Sequence, residues 1–115
     1  MSKAVEFVEK LIKKTEEGEI EWQRGPTPGF IVTRFDSVTL VLYPVPALAK
    51  HDAVRYILRM RNVRGTVLDE IDDWELAEEA GHKKDSPHVI DLYRAARRSA
   101  TGALEVMQDI MAGLK

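Results

Sequence analysis

The residues with the most obvious chemical potential cluster late in the chain. His82, Asp85, His88 and Asp91 fall within ten residues, and two imidazoles with carboxylates are a donor set that suits zinc or a similar ion. Their spacing matches no tight ligand motif, and His82 sits in a segment containing glycine and lysine, so no metal and no cofactor is expected. Asp72 and Asp73 are adjacent acids capable of proton transfer in principle, although neighbouring acids in a loop are more often simply solvated. The serines are Ser2, Ser37, Ser86 and Ser99, and they read as two helix caps, one turn residue and one helix residue, none with a base beside it. Nucleophile elbows, phosphate-binding glycine loops and dinucleotide fingerprints do not occur. No catalytic residue is assigned; the question of catalysis stays open, with a non-enzymatic role favoured.

A second set of residues is suited to recognition. Four arginines and no acid lie between Arg55 and Arg64, whereas seven acids and no base lie between Asp69 and Glu79. Such blocks can pair with each other inside one chain or across a two-fold axis. Tyr43, Arg55, Ile57, Arg59, Arg61 and Trp74 are the candidate binding residues: an apolar and aromatic patch with a basic rim is the composition of an interaction surface. The same strand could hold a nucleic acid by phosphate contact and stacking. The sequence pI of 5.9 and the neighbouring acids argue against that. In the alternative arrangement, the segment carrying Trp74 folds across the patch and brings its acids onto the arginines.

These residues need elements to position them. Val5, Val8, Leu11, Ile12 and Thr15 share one arc of a helix expected from about Lys3 to Glu17, with Ser2 as its N-cap and Gly18 as its stop. The period then changes to two, and Glu19–Trp22 is expected to form a short strand. Phe30–Phe35 and Val38–Tyr43 read as strands joined by the Asp36-Ser37 hairpin. Val54–Arg61 alternates, with Val54, Tyr56, Leu58 and Met60 inward and the arginines outward, and Thr66–Ile71 follows a turn at Asn62–Gly65. Asp72–Ala80 is either a short acidic helix or an ordered loop. Ser86-Pro87 reads as an N-cap and first helical residue opening a helix to about Gly113.

That last helix does not close on a monomer. At about 1.5 Å per residue it would be ~39 Å long, against a diameter of roughly 34 Å for a compact chain of this length. It must overhang, kink at Gly102, or pack on a second subunit. Ala96, Ala100, Ala103, Met107, Ile110 and Met111 are its candidate interface, the alanines permitting close approach and the larger residues supplying apolar area.

The 115 residues carry 17 basic and 19 acidic side chains, no cysteine, and 44% apolar residues. This suits a single domain with a real core and excludes disulfide scaffolds, thiol catalysis and cysteine-based zinc sites. No stretch approaches the ~20 apolar residues of a membrane span, and the first residues lack an apolar signal core; a cytoplasmic location without membrane partners is expected. Helix, meander and helix in that order give an α+β class. The expected architecture is a two-layer sandwich: an antiparallel sheet of four to five strands with the N- and C-terminal helices packed on one face.

Thr15-Glu16-Glu17-Gly18-Glu19-Ile20-Glu21-Trp22 and Leu92-Tyr93-Arg94-Ala95-Ala96-Arg97-Arg98-Ser99-Ala100 resemble small uncharacterised bacterial proteins of helix–β-meander–helix layout with a Thr-x-x-Gly-x-Ile-x-Trp signature. The resemblance implies the layout and a bacterial origin, and no activity. The sequence thus reads as a non-enzymatic interaction module. It is expected to be a homodimer that binds a protein partner or small apolar ligand through its sheet face and last helix, with nucleic-acid binding and an enzyme or ligand pocket as the alternatives.

Overall fold

Apolar residues at helical spacing set the first element. Helix α1 (Lys3–Glu16) buries Val5, Val8, Leu11 and Thr15 along one side, the stripe that its sequence period predicts. It ends at Gly18, whose φ of +80° is the left-handed conformation of a helix stop. The computed structural model describes residues 3–46, 54–81 and 86–114. Ser2, His82 and Asp85 lie outside the described residues.

Strands β1 (Gln23–Arg24), β2 (Ile31–Phe35), β3 (Val38–Val45), β4 (Arg55–Asn62) and β5 (Val67–Asp72) form one antiparallel sheet in sequential order. The meander follows from its turns. Asp36 takes a positive φ of 50° between β2 and β3. Between β4 and β5, Asn62 Oδ1 accepts from the backbone N–H groups of Arg64 and Thr66, an Asx-type turn. A register shift between Met60 and Arg61 marks a bulge in the β4–β5 ladder.

The expected strand at Glu19–Trp22 is displaced: β1 begins at Gln23, although Ile20 and Trp22 are buried as the alternation requires. From Ile20 to Trp22, backbone groups of that segment are met by side chains rather than by a ladder. The Trp22 N–H donates to Ser99 Oγ (3.1 Å), and the Glu21 carbonyl accepts from Thr33 Oγ1 (2.8 Å).

Leu40, Leu42 and Leu58 from the sheet pack with Ile31 and Ile71 against the helices, and Val8, Leu76, Val89 and Leu92 complete the core. Strand β4 presents Tyr56, Leu58 and Met60 to this core, as its alternation predicts. Val54 is half exposed and precedes the strand. The acidic segment is helical: α2 (Asp73–Glu79) is capped by Asp72, whose carboxylate accepts from the Glu75 N–H at 2.8 Å, and it buries Leu76.

Helix α3 (Val89–Thr101) starts later than Ser86-Pro87 suggests. Its N-cap is His88, whose N–H donates to the Asp91 carboxylate, and the Val89 N–H donates to Asp73 Oδ1 at 2.5 Å. An acid on α2 thus supplies the acceptor that a local serine was expected to give. Two further corrections concern the C-terminus. The helix is not continuous to Gly113: Gly102, at φ +80°, separates α3 from α4 (Ala103–Gly113). Ala96 is fully buried in the core of its own protomer and is not available to a second subunit, while Ala100 is half-buried against that core. Their small side chains instead admit the rest of the protomer's core.

Candidate functional site

The second sheet face, opposite the core, carries the candidate binding residues. Antiparallel pairing of β3 with β4 sets Tyr43 opposite Ile57 and Val41 opposite Arg59. Pairing of β4 with β5 sets Arg59 opposite Glu70 and Ile57 opposite Asp72. The register therefore lays one row of carboxylates beside one row of arginines.

Two clusters result. Tyr43 stacks on Phe30, with ring centroids 4.8 Å apart and planes 12° apart. The Arg59 guanidinium lies 4.9 Å from the Tyr43 ring centre and donates to the phenol oxygen at 2.6 Å. Both side chains also donate to Glu70 Oε2, Arg59 Nε at 2.7 Å and Tyr43 Oη at 2.9 Å. Hydrogen bonds from Arg59 and then Tyr43 hold the Glu70 carboxyl below its ordinary range. Burial, assisted by the Glu70 carboxylate, pushes the Tyr43 phenol up against the opposing pull of Arg59. A phenol raised in this way stays protonated and acts as a hydrogen-bond donor to the Glu70 carboxylate.

In the second cluster, Arg55 pairs with Asp72 and lies 4.5 Å from the Trp74 ring centre, a cation–π arrangement. Its buried Nε has no hydrogen-bond partner among the described residues. Trp74 is 60% exposed, so Arg55 covers one part of a ring otherwise turned to solvent. The α2 helix packs on the core side through Leu76, so the expectation of acids reaching the arginines is met by β5 and its end, not by a helix laid across the face. Arg61 is half-buried opposite Thr39 and has no carboxylate partner among the described residues.

Phe30 and Glu70 join this face without having been candidates from sequence, and Asp72, expected as a solvated acid, is the partner of Arg55. The signal was present in Asp69-Glu70-Ile71-Asp72: with Ile71 committed to the core, period two places Glu70 and Asp72 on the arginine side. No cluster of potential metal ligands occurs among the described residues. His88 and Asp91, from the considered ligand set, are engaged in starting α3.

The second candidate surface is α4. Ala103, Val106, Met107, Ile110, Met111 and Leu114 recur at steps of three and four and share one broad side of the helix. No residue of α4 is buried, and the large apolar side chains from Val106 to Leu114, just past its end, are 44% to 68% exposed. The Cα radius of gyration is 14.9 Å, above the roughly 13 Å of a compact domain of this length. Gly102 turns the helix so that Leu104, Glu105 and Gln108 border a cleft of about 320 Å³ beside Ile20 and Trp22. The apolar stripe is left outside.

No helix among the described residues is long and apolar enough to cross a membrane. Compared with protein-family models, curated proteins and solved structures, the chain matches none of them significantly.

Proposed function

We propose that this protein is a non-enzymatic interaction module that self-associates through the apolar side of α4. The observation that carries the reading is the exposure of Val106, Met107, Ile110, Met111 and Leu114 together on one helix without a buried residue. Their exposed parts amount to roughly 500 Å², within the range of the largest apolar patch on a monomer, which is often functional. A pair of protomers withdrawing such patches would bury about 1,000 Å², where specific protein interfaces begin. The second sheet face, with the exposed Trp74 and the half-buried Arg61, is the surface such an assembly would keep for a protein partner.

Nucleic-acid binding is the weaker reading. The Arg55 and Arg59 charges are already met by Asp72 and Glu70, and phosphate binding relies on cations free to replace counterions.

Light scattering on a sizing column, from micromolar to submillimolar protein, tests the proposal. The expected result is a species of twice the 13.0 kDa chain mass, reduced to the monomer by Met107→Glu with Ile110→Glu. A wild-type monomer throughout that range would overturn it.

A further inference from the structure

The α4 stripe needs a receiving surface, and the fold contains one of matching size. A groove of about 520 Å³ runs along α1 from Lys3 to Lys14, floored by Phe7, Leu11, Ile20 and the hairpin residue Phe35. Phe35 is 42% exposed, so the end of the β2–β3 hairpin forms an apolar wall rather than being spent in the core. We infer that this groove receives α4 from a second copy of the chain, and that the two copies exchange these helices reciprocally. The inference rests on the self-association proposed above and assigns its contact.

Three observations favour this occupant. The groove follows α1 over the twelve residues from Lys3 to Lys14 and α4 has eleven residues, which at the helical rise are about 18 and 17 Å long. An amphipathic helix laid in an apolar groove is a recurrent recognition mode.

Charge also matches. Helix α4 carries Glu105 and Asp109 and no lysine or arginine, with Asp109 bordering the stripe beside Val106. The groove rim carries Lys3, Lys10 and Lys14 against Glu6 and Glu19. Lys14 is paired with Glu19 at 2.9 Å, while Lys3 and Lys10 have no ion pair among the described residues. Packing α4 on its own copy would instead set an acidic helix against an acidic helix, which opposes association.

The third observation is adjacency. Ile20 lines both the groove and the cleft beside the root of α4. Donor helix and acceptor groove therefore lie side by side on one protomer, so both contacts of a reciprocal pair can gather around one two-fold axis.

The test separates this contact from the broader reading. Variant one carries Lys10→Glu and Phe35→Glu in the groove; variant two carries Met107→Glu and Ile110→Glu on α4. All four positions are exposed, and circular dichroism with a thermal melt verifies that each variant folds. Light scattering is expected to show both variants as monomers where the wild type is a dimer, the dissociation constant rising at least about tenfold. Mixed in equal amounts up to submillimolar concentration, they are expected to form a one-to-one heterodimer, because the α4 of variant one meets the intact groove of variant two.

A mixture that stays monomeric overturns the inference. A groove variant as dimeric as the wild type also overturns it, and leaves self-association through α4 standing. A wild-type monomer overturns both.

Discussion

The Trp22 indole is buried with one polar atom, and that atom donates to Thr15 Oγ1 at 2.9 Å. Gly18 lets the chain leave α1 between these two residues, and Ser99 Oγ accepts from the Trp22 N–H while donating toward the Ile20 carbonyl at 3.4 Å. Thr15, Gly18, Ile20 and Trp22 are therefore one packed clasp, and Ser99 ties it to α3. Burial and hydrogen bonding account for the position of each of these residues. Replacing Thr15 with Val leaves shape intact and strands the indole donor, which costs about 1–3 kcal/mol. Urea unfolding should show that loss for Thr15→Val and recover most of it for Thr15→Ser, which retains the acceptor. Equal stability of Thr15→Val and the wild type would show that the contact contributes nothing.

Among the elements, the junction of α3 and α4 decides most about the surface. Gly102 at φ +80° has nothing within 4 Å of where a Cβ would stand, so a substitution there meets backbone strain alone. An alanine in the left-handed region costs about 1–2 kcal/mol. Gly102→Ala should therefore lower stability by that amount in urea unfolding of dilute protein, with helix content by circular dichroism unchanged. A gain in both would mean that the two helices had fused. The sequence shows Gly102 as a position where the helix could bend, because glycine permits what other residues resist. Which way α4 then points is not written in that glycine: Leu104 and Gln108 come to border the cleft beside Ile20 and Trp22, residues far away in the chain.

At the scale of the whole molecule, acids of opposite behaviour shape the response to pH. Glu70, held down by Arg59 and Tyr43, contributes stability that is present above the ordinary carboxylate range. That contribution is lost as pH falls through its lowered folded value. Asp73 has the opposite sign: burial raises it, against the backbone N–H groups of Val89 and Ile90. For Asp73, stability falls as pH rises from the ordinary carboxylate value to the raised folded one. Urea midpoints measured between pH 3 and 7 should thus fall less steeply on acidification in Glu70→Gln than in wild type. Asp73→Asn should remove the opposing trend while keeping an acceptor for α3. Asp73→Ala should lose about 1 kcal/mol at neutral pH as the Val89 N–H loses its acceptor. Parallel pH profiles for wild type and both conservative variants would contradict the assignment. Glu70 is substantially exposed, so solvent screening keeps its effect well below that of a buried pair.

Features that depend on neighbours in the chain are legible in the sequence: the α+β order, the hairpin at Asp36, the turn at Asn62–Gly65 and the core side of β4. Periods of two and 3.6 assign faces without reference to any distant residue. The sequence also put Tyr43, Arg55, Ile57 and Arg59 on one side of the sheet and found the apolar end of the last helix. Tertiary structure alone decided the remainder. Ser99 and Thr33 diverted the Glu19–Trp22 backbone from the sheet, Asp73 moved the start of α3, and the β4–β5 register matched Arg59 with Glu70. Ala96 was claimed by the core of its own protomer. In each case a buried donor, a charge or a small side chain had to be matched by a partner far away in sequence. Local propensity has no term for that partner, because only the packed chain brings it within reach.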